Sequence, residues 1–425
     1  MQQPVAPKSL LLSMFRAAVS AADPATITPR FLPTPPRGRL VVLGAGKAAA
    51  SMAKAVEDHW SGPIEGLVVT RYGHAVACKS IEVLEANHPT PDEAGQRAAA
   101  RMLDMAKALG PDDLALCLIS GGGSALLSLP AAGLTLADKQ AVNAALLRSG
   151  APIGEMNTVR KHLSAIKGGR LAAAAYPAKM LTLIISDVPG DDPAVVASGP
   201  TVADPSTYEQ AREILHRRAI VAPRAVMDHL LRAEDETPKP GDRRLSASEV
   251  KVIATARMSL EAAAEIARQA GVEPIILGDA IEGEAREVGI AHAKLALAIA
   301  RGETAHARPC VLLSGGETTV TVRGKGGRGR GGRNSEYLLA LALGLDGAPG
   351  VHAIAADTDG IDGSEANAGA LVDPGALARA RSKGLDPQSL LDANDTYCFF
   401  AALGDLVMTG PTLTNVNDFR AILIE

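Results

Sequence analysis

Leu114-Ala115-Leu116-Cys117-Leu118-Ile119-Ser120-Gly121-Gly122-Gly123-Ser124-Ala125-Leu126-Leu127 is the stretch that decides the fold class. The apolar run 114–119 reads as a buried strand, and Ala125-Leu126-Leu127 is compatible with a helix. Three glycines between them let backbone N–H groups converge on an anion, with the helix dipole assisting. The same idea recurs where Val311-Leu312-Leu313 runs into Ser314-Gly315-Gly316-Glu317.

Working outward, strand–loop–helix units repeat. Residues 40–43 read as a strand, Gly44-Ala45-Gly46-Lys47 as a turn and 48–59 as a helix. Strands are expected at 67–70, 81–85 and 180–185. Helices are expected at 91–109, at 135–149 with Thr135 as N-cap, at 157–175 with an interruption at Gly168-Gly169, and at 207–231. Residues 153–157 read as a loop. Repeats of this kind build a doubly wound parallel sheet. The charged, proline-containing stretch 234–246 reads as a linker, which divides the chain into residues 1–240 and 241–425. A second α/β block comes next, with strands at 251–254, 274–277, 311–313, 318–322 and 351–356. Its helices fall at 259–270, 284–301 and 334–345, and a short strand at 421–424 closes it. Residues 9–19 mimic a short signal sequence, but Arg16 interrupts them. Leu11, Leu12, Phe15 and Val19 fall at helical spacing, which favours an amphipathic first helix.

Composition narrows the function classes. The chain has 425 residues, enough for two or three domains, and a hydrophobic fraction of 47%. Aromatics make up 3% and the formal net charge is −4, which argues against base-stacking platforms and broad nucleic-acid binding. No run reaches the ~20 apolar residues of a membrane span. The four cysteines, Cys78, Cys117, Cys310 and Cys398, form no CxxC pair, so neither a disulfide framework nor a zinc site is expected. A reducing, cytoplasmic setting fits.

Several motifs point to anion chemistry. Gly44-Ala45-Gly46-Lys47-Ala48-Ala49 fits G-x-G-x-x-A after a strand, yet the next strand ends at Thr70-Arg71 rather than at a ribose-binding acid; Arg71 could hold a 2′-phosphate, which keeps an NADP reading open. Lys47 is placed to neutralise phosphate or carboxylate; the plainer alternative is a tight turn with an exposed lysine. The turn Ser120, Gly121, Gly122, Gly123 and Ser124 offers backbone donors and two hydroxyls. It lacks the last glycine of a nucleophile elbow, which disfavours a hydrolase. Acidic clusters come after strands at Asp187 with Asp191 and Asp192, at Glu317, and at Asp357 with Asp359 and Asp362. Such carboxylates suit Mg²⁺, and each cluster taken alone also suits a turn or a helix cap. Arg323, Lys325, Arg328, Arg330 and Arg333 lie among glycines and read as a lid over phosphates, with Arg333 the most rigidly held. Asn87-His88-Pro89-Thr90-Pro91 is a shaped turn that could line a pocket.

With these motifs assembled, the chain resembles the bacterial glycerate 2-kinase family, whose C-terminal module is called MOFRL. Leu43 to Ala49, Asn87 to Pro91, Ile119 to Leu126 and Asn157-Thr158-Val159-Arg160-Lys161-His162-Leu163-Ser164 carry the match in the first half. Ser186 to Asp191, Gly283-Glu284-Ala285-Arg286-Glu287, Ser314 to Thr318, Gly332 to Glu336, Asp357 to Gly360 and Thr412 to Asp418 carry it through the second. The resemblance implies a Rossmann-like, three-layer N-terminal parallel sheet, a second α/β domain with the MOFRL module at about 308–415, and an active site in the cleft between them. It implies phosphorylation of D-glycerate by ATP with Mg²⁺, giving 2-phosphoglycerate; a homodimer is compatible with it. Some relatives are labelled hydroxypyruvate reductase, which supplies NAD(P)H-dependent reduction as the runner-up. Lys47, Asp187, Glu317 and Arg333 match positions expected to line the site. Lys47, Asp187 and Arg333 are the expected catalytic groups, and Asp187, Glu317 and Asp357 the expected metal holders. Gly44, Gly46, the Ser120–Ser124 turn, Arg160, Arg286, Ser314, Gly315, Gly316 and Glu317 are expected to bind glycerate or nucleotide. Which SGG turn takes which ligand stays open.

Overall fold

The computed structural model describes residues 6–322 and 329–425. Most of the arginine-rich lid candidate, residues 323–328, lies outside the described residues. The chain forms two compact units, one of residues 24–253 and one of residues 1–23 with 254–425.

The unit of residues 24–253 is built on a six-stranded sheet ordered β3-β2-β1-β4-β5-β6. Its strands are β1 (Leu40–Ala45), β2 (Ile64–Arg71), β3 (Ile81–Ala86), β4 (Leu114–Ser120), β5 (Lys179–Ile185) and β6 (Ser248–Ala254). Neighbours from β3 to β5 pair in parallel. Parallel strands buried on both faces read as continuous apolar runs, which is why 114–119 stands out. Val41, Leu43, Cys117 and Ile119 pack on one face with Ala98 and Met102 of the helix Glu93–Lys107. A separate helical cluster holds Val142, Leu146, Met156, Val159, Leu163, Tyr208 and Leu230.

Two expectations shift here. Residues 153–157 open the helix Ile153–His162, because Pro152 starts it and Met156 and Val159 bury into the helical cluster. Helix breaks do fall at Gly168 and Gly169, both at positive φ; a Cβ on Gly169 would lie 2.7 Å from the Val202 carbonyl oxygen. The stretch 234–246 does not behave as a linker. His162 Nε2 meets Glu236 Oε1 at 2.8 Å, Thr237 Oγ1 donates to Asp204 Oδ2 at 3.0 Å, and Asp204 N donates to the Pro238 carbonyl at 2.9 Å. These bonds hold it within its unit, and the chain passes to the other unit near Ala254.

The second unit carries a mixed sheet ordered β13-β12-β11-β14-β9-β7. It contains β7 (Glu273–Gly278), β9 (Cys310–Gly316), β11 (Val351–Asp357), β12 (Gly369–Val372), β13 (Leu406–Val407) and β14 (Asp418–Ile424); β8 (Gly283–Glu284) and β10 (Thr318–Thr319) form a separate pair. β7 and β9 are parallel, whereas β14 is antiparallel to both β9 and β11. Val311 and Leu313 face one core and Cys310 and Leu312 the other. The first helix, Pro7–Ala21, belongs to this unit. Leu10, Leu11, Met14, Phe15 and Ala18 pack into the same core as Leu260 and Phe419, so the amphipathic reading holds and the N-terminal boundary shifts. No single helix among the described residues is long and apolar enough to cross a membrane.

Candidate active site

The strand order reverses between β1 and β4, and in open α/β sheets ligands bind outside the carboxyl ends of the strands at that point. Both glycine turns of this unit leave the sheet there. Ala45 is in register with Ile119, and Ser120 with Ile185. Lys47, the Ser120–Ser124 turn and Asp187 therefore stand just past three adjacent strand ends.

Close backbone approach explains the glycines. Gly46 has φ 140°, and a Cβ there would sit 2.1 Å from Ser120 Oγ; on Gly44 it would sit 2.6 Å from the Leu118 carbonyl oxygen. Ser120 is buried, and its Oγ accepts from Ala48 N at 2.9 Å. Lys47 N donates to the Gly121 carbonyl at 2.8 Å, so the two turns are stitched together. The run leaving the turn is a single turn of helix, Gly123–Leu126. A helix dipole needs several aligned turns, so positive charge at this site has to come from side chains.

Those side chains line a cavity of about 180 Å³. His88, Gly122 and Ser124 form one part of its wall, as expected of the 87–91 turn, and Lys139, Arg160 and Lys167 form another. Lys167 is 2% exposed; its Nζ donates to the Ser124 carbonyl at 2.5 Å and to Ser124 Oγ at 2.7 Å. Ser124 Oγ lies 2.9 Å from Ser198 Oγ, which donates to Asn157 Oδ1 at 3.0 Å. Lys139 Nζ donates to the Leu129 carbonyl at 3.3 Å. Arg160 is held by Asn143 Oδ1, at 2.8 Å from Nε. Burial, with repulsion from Arg160, pushes the Lys139 ammonium down to about 7. Burial, then Lys139 and Arg160, holds the Lys167 ammonium well below its ordinary range too. Sequence reasoning found Arg160 but missed both lysines, which sit in ordinary helical and loop contexts.

The other unit gathers carboxylates around Arg333. Its Nε donates to Asp418 Oδ1 at 2.8 Å, one terminal nitrogen to Asp357 Oδ2 at 2.7 Å, and the other to Glu317. Burial works against the Arg333 charge, and Asp418, Asp357 and Glu317 more than reverse this, raising its pKa. Asn334 Nδ2 also donates to Asp418 Oδ1, and Asp362 caps the helix Arg333–Leu345 through the N–H groups of Asn334 and Ser335, both at 2.9 Å. Asp418 was outside the sequence-derived set; it stands at the start of β14, a strand whose buried Arg420 hides its apolar pattern.

Ser314, Gly315 and Gly316 differ from the first turn. They are the end of β9 and continue into β10 with no intervening helix. The Gly315 carbonyl accepts from Ile281 N at 3.1 Å and from Arg420 at 3.3 Å, and a Cβ on Gly316 would lie 2.2 Å from Ile281 N. This SGG serves close packing and delivers Glu317 to Arg333. Arg286, 7% exposed, donates from Nε to Glu336 Oε1 at 3.0 Å, an ion pair within the fold, and from Nη2 to the Leu391 carbonyl at 2.9 Å.

Among the described residues, no group of three or more His, Cys, Asp or Glu side chains has the geometry to hold a metal ion by itself. Mg²⁺ with phosphate needs only one or two carboxylates. Asp357 has both oxygens engaged, by Arg333 and by Asp359 N at 3.0 Å. The Glu317 side chain is 53% exposed, and Asp187 is half-buried at its strand end. Each, within its own unit, offers a hard-oxygen donor, Glu317 through the oxygen not bound by Arg333.

Comparison with known proteins shows the family. Residues 10–231 match a family described as a domain of unknown function, DUF4147, and residues 310–418 match the MOFRL family. An Agrobacterium vitis protein named "Putative hydroxypyruvate reductase" is 56% identical over 421 residues, covering 99% of this chain and 95% of that one. The D-glycerate 2-kinase of Thermotoga maritima is 38% identical over 426 residues, covering 100% of both. The crystal structure of glycerate kinase from the same organism matches with a TM-score of 0.89 at 38% identity, over 98% of this chain and 99% of that one.

Proposed function

This chain belongs to the glycerate 2-kinase family, and from that premise we propose that it transfers the γ-phosphoryl group of ATP to the 2-hydroxyl of D-glycerate, giving 2-phosphoglycerate and ADP. The observation that carries the reading is the convergence of Lys47, the Ser120–Ser124 turn and Asp187 at the carboxyl ends of β1, β4 and β5.

Phosphoryl transfer asks a protein for positioning and charge neutralisation more than for covalent help. The glycerate O2–phosphorus bond forms as the bond from phosphorus to the β,γ-bridging oxygen breaks. Lys47 neutralises the transferring group, and Asp187 accepts the 2-hydroxyl proton. Mg²⁺, when bound, supplies charge neutralisation on the phosphates, and Asp187 or Glu317 would hold it. Arg333, already gripping three carboxylates, orients Glu317 in this reading and contributes positive charge. The unpaired cysteines Cys78, Cys117, Cys310 and Cys398 accord with work in the cytoplasm.

The reductase reading draws on the relatives' name and on the G-x-G-x-x-A turn. Against its NADH form, β2 ends at Thr70 and Arg71, and Thr70 Oγ1 donates to the Lys47 carbonyl at 3.3 Å, where the NAD ribose wants a carboxylate; Arg71 leaves only an NADPH form, through a 2′-phosphate. One assay separates the two readings. ADP release that requires D-glycerate, with phosphorus NMR locating the phosphate on the 2-hydroxyl, is expected. NAD(P)H oxidation by hydroxypyruvate with no ADP release would overturn the kinase reading.

A further inference from the structure

We propose that the cavity bounded by Lys139, Arg160, Lys167 and Ser124 is a receptor for the carboxylate of a small hydroxy acid, and so assigns the Ser120–Ser124 turn to the phosphoryl acceptor rather than to the nucleotide. Naming the acid as D-glycerate rests on the kinase reading above.

Three basic side chains line one small space, and their hydrogen-bond partners among the described residues are neutral: the carbonyls of Leu129 and Ser124, the Ser124 hydroxyl and the Asn143 amide. The neighbouring Lys161 behaves in the ordinary way, pairing with Asp204 at 3.4 Å. Lys139 is 9% and Lys167 2% exposed, so water does not screen them as it would surface lysines. Burying a charge without its counter-charge costs several kcal/mol. A fold keeps such an arrangement where a ligand brings the missing charge.

Size and surroundings select the ligand. At about 180 Å³ the space falls below the ~300 Å³ where drug-sized ligand pockets begin, which suits a three-carbon acid. Val142, Leu146, Val159 and Leu163 form its apolar part, and a low local dielectric strengthens a charge-assisted hydrogen bond to the carboxylate. The titratable and charged groups facing Lys139 across the cavity are Arg160, Lys167 and His88, with no carboxylate among the lining residues. An arriving anion therefore stabilises the charged lysines, and binding takes up protons from solution.

The test is calorimetry of D-glycerate binding to the full chain without nucleotide, at pH 8 in two buffers of different ionisation enthalpy. Uptake on the order of one proton per glycerate is expected. Glycerol, which keeps the hydroxyls but lacks the carboxylate, should not bind. Lys139→Met and Lys167→Met should each weaken D-glycerate binding roughly 30-fold or more. Their melting temperatures should match or exceed the wild type, and Lys139→Gln repeats the measurement with a polar side chain should either methionine variant fail to fold. Inorganic phosphate binding in place of D-glycerate, or a raised KM for ATP with glycerate binding intact, overturns the assignment. Proton-linked glycerate binding in a protein that releases no ADP would remove the kinase reading and leave this site standing. ADP release with an unchanged glycerate KM in the methionine variants would do the reverse.

Discussion

Lys167 Nζ donates to Ser124 Oγ at 2.7 Å, and the same hydroxyl reaches Ser198 at 2.9 Å. Ser198 gives its own proton to Asn157, so with Lys167 as donor the Ser124 proton must point to Ser198. The chain of bonds has one direction, from the lysine to the amide. Ala197 and Ser198 hold left-handed backbone, at φ 51° and 61°, a costly conformation for non-glycine residues. The serine of the glycine turn thus acts as a bracket for a buried lysine.

That geometry predicts the outcome of Ser124→Ala. Lys167 keeps the Ser124 carbonyl and Ser198 keeps Asn157, so about 1–2 kcal/mol of stability should be lost, read as a melting temperature a few degrees lower. D-Glycerate KM should rise several-fold while turnover stays measurable. Turnover falling to background with normal glycerate binding would instead give Ser124 a chemical role.

Lys139 makes stability depend on alkaline pH. Its folded-state pKa, about 7, lies below its ordinary value of 10.5. Between those values the unfolded chain binds more protons than the folded one, so stability rises as pH climbs from 7 towards 10 and is lost as pH falls back through 7. The ligand-free protein should therefore melt several degrees higher at pH 9 than at pH 7, with a flatter profile in Lys139→Met. Equal slopes for both proteins would place the ammonium in solvent contact.

Parts of this anatomy were legible from residue order and parts were not, for physical reasons. β1, β4 and β5 are buried on both faces, so their runs are mostly apolar and the glycine turns after β1 and β4 stand out. β14 begins Asp418-Phe419-Arg420, and its central place was hidden because Arg420 is buried against Asp418 and over the Tyr337 ring, 5.2 Å from its centroid. The stretch 234–246 looked like a linker because its charges were visible and their partners, His162 and Asp204, lay far away in sequence. Ser314-Gly315-Gly316 copied the first turn in letters only, since it leads into a strand and not into a helix. Lys139 and Lys167 carry no local signal, since a missing counter-ion can be seen only in three dimensions.

Arg333 is expected to matter for stability as well as rate. Removing it with Arg333→Ala leaves Asp357 buried without a cation and Asp418 with Arg420 alone, a loss of about 3–5 kcal/mol. Arg333→Lys restores charge but cannot serve three carboxylates in a planar fork, so it should recover less than half of the loss. Thermal unfolding measures this directly. Kinetics well below the melting temperature test the catalytic share: a drop in kcat with folded protein supports it, and an effect confined to glycerate KM moves Arg333 to ground-state binding.

Lys47 should show the opposite balance. The bonds from its N–H to Gly121 and from Thr70 to its carbonyl are made by the main chain, so they survive truncation in Lys47→Ala. The turn depends on Gly46 instead, where an alanine Cβ would meet Ser120 Oγ at 2.1 Å. Lys47→Ala should keep its melting temperature within about 2 °C of the wild type, a shift of less than ~1 kcal/mol. Its kcat should fall on the order of 10²–10³-fold, as for loss of a charge aimed at the transition state. Gly46→Ala should melt well below both. A Lys47→Ala enzyme with normal ADP release would remove this lysine from the chemistry and leave it as a surface group on a glycine turn.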